Sequence, residues 1–202
     1  MALSIVDSTL TYICIRVNLQ DHTQPIISQL ISRYGLTVNI AAASLKENTQ
    51  NNGWFNLEIQ GDAQQIASGL SYLQSLNIDI EQLNVKSLSA QNQEKLKLLC
   101  MNPDCYGCYQ TKQELQNRNQ EVEMTVPKNR AKFQVSIPHN YRSAPIISGL
   151  VACYGLTVNI AKADLDIDAQ RDGKFDLEIS GSPQQIIFGL RYLKELGLQI
   201  WL

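Results

Sequence analysis

The chain is short of charge. Asp, Glu, Lys and Arg make up 18% of its 202 residues, against the roughly one quarter usual in globular domains. The formal net charge is -2. No basic excess exists to neutralise phosphates, and no block of like charge occurs, so nucleic acid is not an expected partner. Long apolar runs are missing as well. None approaches the roughly 18 residues that suggest a membrane helix, so direct membrane insertion is not expected. The first ten residues, MALSIVDSTL, have no positive start and reach Asp7 too soon for a secretory signal. A soluble, cytoplasmic chain is the expectation. Catalytic signatures are absent too. There is no G-x-x-x-x-G-K-[ST] phosphate loop, no nucleophile–base pair, no carboxylate pair at a shared site and no cofactor fingerprint. Neither an enzyme nor a cofactor is expected.

Cysteine is present but unpaired in number: Cys14, Cys100, Cys105, Cys108 and Cys153. An odd count in a chain too long to need a disulfide scaffold favours reduced thiols. Hydrophobic residues make up 44%, enough for each half to bury a core.

The organising feature is an internal repeat. PIISQLISRYGLTVNIAAASL begins at Pro25, and PIISGLVACYGLTVNIAKADL begins at Pro145, an offset of 120 residues. The offset holds without a gap through Gly53/Gly173, Phe55/Phe175, Gly61/Gly181, Gln64/Gln184, Tyr72/Tyr192 and Ile80/Ile200. The period far exceeds the roughly 20–50 residues of solenoid repeats, so each copy should bury its own core. The expected division is 1–83, 84–130 and 131–202: a first domain, a helical, cysteine-containing connector and a second domain.

Each copy reads as strand, helix, strand, strand, helix, strand. Ile13, Ile15 and Val17 alternate inward in the first strand, with Cys14 and Arg16 on the other side; Phe133, Val135 and Ile137 repeat the inward set. The first helix places Ile27, Leu30, Ile31 and Tyr34 on one face, matched by Ile147, Leu150, Val151 and Tyr154. Thr23 suits its N-cap, Pro25 its first turn, and Gly35 or Gly155 a left-handed end. In strand two Val38 and Ile40 point inward while Thr37, Asn39 and Ala41 point outward. Polar residues with Gly53 or Gly173 read as a hairpin turn. Strand three turns Phe55, Leu57 and Ile59 inward, and Trp54, Asn56 and Glu58 outward. Asp62 with Gln65, and Ser182 with Gln185, predict capping boxes at the second helix. A short last strand holds Ile78 and Ile80, or Leu198 and Ile200. The fold class is therefore α+β: two ferredoxin-like βαββαβ domains, each a four-stranded antiparallel sheet with two helices on one face. In the order 4-1-3-2 strand two is an edge, and pairing with the other copy would cover it.

YGLTVNIA, the downstream F-x-L-E-I-x-G and the Tyr-Leu near the end of helix two together resemble the NIL domain. That domain is the C-terminal regulatory module of methionine ABC importer ATPase subunits. The resemblance covers both repeats and not the connector. It implies a βαββαβ fold, pairing of two such domains, and methionine bound near the paired strands as a feedback signal. It also implies that an asparagine on strand two matters for the response, which is Asn39 and Asn159 here. No ATPase accompanies these domains, so any link to a transporter would be in trans.

The candidate ligand-binding residues follow. Asn39 and Asn159 offer amides suited to the carboxylate or ammonium of an amino acid. Glu58 and Glu178, outward on strand three, could hold an ammonium by a charge-assisted hydrogen bond. Thr37 and Thr157 share the asparagines' face, although β-branching alone explains a strand threonine. Tyr34 and Tyr154 read as core anchors. His22 and His139 are not equivalent and read as surface-loop residues.

The connector keeps alternatives open. VKSLSAQNQEKLKLLC reads as a helix. Cys100, Cys105 and Cys108 have the C-x4-C-x2-C spacing of plant-type iron–sulfur loops, and the C-x-x-C within it could hold zinc or cycle as a dithiol. A fourth ligand is missing, Tyr106 is bulky, and Asn102-Pro103-Asp104 reads as a turn. Three functions compete. The first is a sensor of an amino acid such as methionine, built as an internal pseudo-dimer and read by a protein partner. The second is an interaction scaffold, with the open sheet faces binding a partner or further copies of the chain. The third is a metal or redox protein using the connector. At equivalent outward positions Trp54 is replaced by Lys174, and Arg16 by Ser136, which predicts asymmetry between the copies.

Overall fold

The protein is described here by a computed structural model covering residues 8–18, 24–46, 52–87, 129–166 and 171–202. The first copy consists of β1 (Thr9–Val17), α1 (Ile26–Tyr34), β2 (Thr37–Leu45), β3 (Gly53–Gly61), α2 (Ala63–Ser75) and β4 (Asp79–Ser87). The second consists of β5 (Asn129–Ile137), a short 3-10 turn at His139–Tyr141, α3 (Ile146–Tyr154), β6 (Thr157–Leu165), β7 (Gly173–Gly181), α4 (Pro183–Glu195) and β8 (Gln199–Trp201). All eight strands form one sheet in the order β4-β1-β3-β2-β6-β7-β5-β8. Each half is thus the expected ferredoxin-like 4-1-3-2 sheet, and the two meet edge to edge through β2 and β6.

That seam is short and symmetric. Ala43 pairs with Leu165, Ser44 with Asp164 and Leu45 with Ala163, antiparallel. Ser44 and Asp164 occupy equivalent positions at the 120-residue offset. A pseudo-twofold axis therefore passes between them. The edge strand that each copy would otherwise expose is covered by its twin.

Period-two alternation buries Ile13, Ile15, Val17, Phe55, Leu57 and Ile59 of the first copy and Phe133, Val135, Phe175, Leu177 and Ile179 of the second, in one continuous core shared by the two copies rather than a separate core in each. Leu30, Leu73, Leu150 and Leu193, from the helices, are fully buried against them. Both capping boxes form: Asp62 accepts from the Gln65 N–H at 2.8 Å, and Ser182 accepts from the Gln185 N–H at 3.3 Å. Gly35 and Gly155 end the first helices at φ 64°, the left-handed geometry glycine tolerates without steric cost.

Three local expectations change. Thr23, the expected N-cap, lies outside the described residues, and the capping position of α1 is held by Pro25 with no side-chain cap. Gly53 and Gly173 lie in no turn; they open β3 and β7, opposite Val17 and Ile137. A Cβ at Gly53 would stand 2.3 Å from Leu45 Cδ1, and one at Gly173 would stand 2.6 Å from Leu165 Cδ1. Close packing, not chain reversal, is what requires glycine there. The last strand of the first copy is not short. It runs to Ser87, paired with β1 back to Thr9 across a bulge, so Val85, Lys86 and Ser87 are strand rather than the start of a helix. Among the described residues, no helix is long and apolar enough to cross a membrane.

Candidate ligand site between the repeats

Each first helix reaches across the seam. Ser148 of α3 accepts from the Val38 N–H and donates to the Val38 carbonyl, both at 2.8 Å. Ser28 of α1 accepts from the Val158 N–H at 3.1 Å. Where β6 no longer runs beside β2, the opposite helix takes over the strand's outward backbone groups. Ser28 and Ser148 are buried, at 2% and 5% exposure, so these bonds form away from water, where an unmade one is costly.

Asn39 sits one residue further along. Its amide donates to Glu58 Oε2 at 2.9 Å and to the Arg142 carbonyl of the other repeat at 2.7 Å. Asn39 and Glu58 face each other directly across β2 and β3, as the alternation predicts. The outward asparagine is nonetheless 7% exposed, because the second copy's β5–α3 loop closes over it. A bulge between Ile40 and Ala42 then re-aims the strand.

Two related cavities flank these contacts. One, of about 20 Å³, is lined by Asn39, Val38 and Ile40 with Tyr141, Arg142 and Ile147 of the other copy. Its twin, of about 30 Å³, brings Asn159, Val158 and Ile160 against Gln24, Pro25 and Ile27. Each has room for water and not for an amino acid.

The other sequence candidates distribute as follows. Asn159 is half-buried and faces Glu178 across β6 and β7. Glu178 ion-pairs with Arg130 at 3.4 Å and Lys132 at 3.6 Å. Thr37 and Thr157 are half-buried opposite Gln60 and Ser180, at the start of their strands. Tyr34 and Tyr154 pack on the core against Tyr72 and Tyr192, ring centroids 5.3 Å apart in each case. His139 is exposed in the 3-10 turn. His22 and the connector cysteines Cys100, Cys105 and Cys108 lie outside the described residues. Among the described residues, no group of His, Cys, Asp and Glu is placed to hold a metal ion.

On the outer face of β1, Cys14 lies 3.9 Å from Glu81, which also ion-pairs with Arg16. Burial first, and then the Glu81 charge, push the Cys14 thiol pKa up. Tyr12, opposite Glu58, is pushed up by burial and next by the Glu58 carboxylate.

Sequence reasoning did not find Ser28, Ser148 or the Arg142 carbonyl. The serines carry one signal: a small polar residue kept in both copies beside the apolar stripe of helix one. A main-chain carbonyl carries none.

The family model described as NIL domain matches residues 12–82 and 132–201. An uncharacterized protein of Synechocystis sp. is 47% identical over 57 residues, 28% of this chain and 58% of that protein. This chain thus spans less than two thirds of that relative's length. An uncharacterized protein of Synechococcus elongatus is 27% identical over 70 residues, 35% of this chain and 86% of that protein. Among solved structures, an unknown protein from Galdieria sulphuraria aligns over 96% of this chain and 95% of its own, at 13% identity and a TM-score of 0.26. A mutant chlorite dismutase from Candidatus Nitrospira defluvii aligns over 95% of this chain and 84% of its own, at 8% identity and a TM-score of 0.28. Likeness at that level assigns no function.

Proposed function

The chain belongs to the NIL domain family, one copy in each half, and on that premise we propose that it is a non-catalytic regulatory protein sensing an amino acid such as methionine between its repeats. One observation carries the reading. The strand-two asparagine Asn39 bridges a carboxylate of its own repeat and a backbone carbonyl of the other. A ligand that competes for those partners acts on the packing of the two halves.

The ligand residues would be Asn39 and Asn159, with Glu58, Glu178, Thr37 and Thr157 beside them. The flanking cavities are too small for an amino acid as they stand, so binding would part the β5–α3 loop from β2, or its counterpart from β6. That displacement is the signal a partner protein, such as a transporter acting in trans, would read. The division into two domains and a connector, expected at 1–83, 84–130 and 131–202, belongs to the same proposal with its bounds moved to the end of β4 at Ser87 and the start of β5 at Asn129, as does a cytoplasmic location.

The test is a thermal-shift screen of the whole chain against the twenty amino acids, repeated with Asn39→Ala and Asn159→Ala. A ligand at about 100 times its Kd stabilises by about 2.7 kcal/mol. A shift with methionine or a relative, lost in one or both variants, is the expected result. No shift with any amino acid would remove the sensing reading.

A scaffold is the second reading, and one observation favours it. Ile187 and Phe188 on α4 are 56% and 49% exposed, where the first copy has Ala67 and Ser68. Large apolar side chains at the surface are common at protein contacts. Under that reading Phe188→Ser abolishes partner binding and no amino acid shifts the melting temperature.

A further inference from the structure

The two halves hold the same carboxylate at the same register position and surround it differently. Glu58 is flanked by Tyr12 of β1 and Asn39 of β2. Glu178 is flanked by Lys132 and Asn159. Lys132 Nζ lies 3.6 Å from Glu178 Oε2, and Arg130 Nη1 lies 3.4 Å from Oε1, so each oxygen already faces a cation. At the positions of Arg130 and Lys132 the first copy has Leu10 and Tyr12. Among the described residues Glu58 has no ion pair. Its Oε2 accepts from Asn39, and a carboxylate has capacity for further donors.

We propose that Glu58 alone takes the ammonium group of the ligand, so that the chain binds one amino acid and not two. This rests on the sensing reading above and adds which half binds and why. An ammonium approaching Glu58 meets an uncompensated negative charge flanked by the uncharged Tyr12 and Asn39, and forms a charge-assisted hydrogen bond. The same group approaching Glu178 must displace or crowd two resident cations. Like charge there opposes binding, and the carboxylate gains little by exchanging one cation for another. Duplication has left one binding half and one self-neutralised half. The Asn39 amide links the binding half to the other repeat's loop, so occupancy of Glu58 is felt across the seam.

The test is calorimetric titration of the whole chain with L-methionine and with each of the other nineteen amino acids. The expected stoichiometry is one per chain. Glu58→Gln should weaken binding about tenfold or more. Tyr12→Lys, which gives Glu58 the cation that Glu178 has, should weaken it comparably while keeping the carboxylate. A melting curve for each variant shows that it is folded. The double change Arg130→Leu with Lys132→Tyr gives the second half the first half's residues, and the stoichiometry should rise toward two. Two ligands per wild-type chain, or unchanged binding in Tyr12→Lys, would overturn this assignment and leave the sensing reading standing. No heat with any amino acid would overturn both.

Discussion

Ser148 holds Val38 by both of its backbone groups, accepting from the N–H and donating to the carbonyl across the boundary between the two repeats. One hydroxyl thus completes the edge of a strand that belongs to the other half. Ser148→Ala strands a buried donor and a buried acceptor, at a cost of about 1–3 kcal/mol for each group left unsatisfied. Chemical denaturation should show that loss, and Ser28→Ala should show a smaller one from its single bond to Val158. A loss below about 0.5 kcal/mol in Ser148→Ala would mean that water replaces the hydroxyl.

Gly35 and Gly155 sit at φ 64°, and Ala there costs about 1–2 kcal/mol for the left-handed backbone. An added Cβ would also stand 2.9 Å from Gln65 Nε2, or 2.6 Å from Gln185 Nε2. The protein supplies its own control at the end of the second helices. Asn77 is left-handed at φ 56°, and its counterpart Gly197 is at φ 74°, where an added Cβ would meet nothing within 4 Å. Asparagine is among the side chains that tolerate this geometry. Gly197→Asn should therefore leave the melting temperature nearly unchanged, while Gly35→Ala lowers it.

Asp62 and Ser182 each accept from the N–H of the third helical residue, Gln65 or Gln185, and donate their own N–H to that glutamine's side chain in return. Ser182→Ala and Asp62→Ala should each cost about 1 kcal/mol. Combined, they should add within about 0.5 kcal/mol if the two caps act independently. A clear excess over the sum would show that the two helices lose their ends together.

Burial and the Glu81 carboxylate hold the Cys14 thiol above its ordinary pKa, with Arg16 acting in the opposite sense. The reactive species is the thiolate. Alkylation of Cys14 by iodoacetamide should therefore lag behind a free thiol at neutral pH and accelerate only at higher pH. Glu81→Gln removes a charge that opposes ionisation and leaves Arg16 unopposed, so it should shift the profile to lower pH. Mass spectrometry of Cys14 against pH reads both, and an unshifted profile in Glu81→Gln would assign the effect to burial alone.

The fold is legible in the sequence because it is written in local periodicity. Period two fixes which of Ile13, Cys14 and Ile15 point inward, Asp62 and Ser182 mark their helix starts, and the 120-residue offset states everything twice. Gly53 misleads because a glycine at a turn and a glycine under Leu45 look alike until the neighbouring strand is placed. Of the site, the facing of Asn39 and Glu58 follows from alternation. The closure over Asn39 does not, since it comes from a main-chain carbonyl 103 positions away. Helix one hides the long-range information: Ser28 and Ser148 look like breaks in an apolar stripe, and each is a bond to the other half.

The seam centred on Ser44 and Asp164 has a consequence for how such a molecule can change. In a dimer of identical chains every substitution is made at both ends of the axis. Here the axis relates two separately encoded stretches, so equivalent positions can hold Tyr12 on one side and Lys132 on the other, or Ser68 and Phe188. One gene can change one side of the axis while leaving the other as it is.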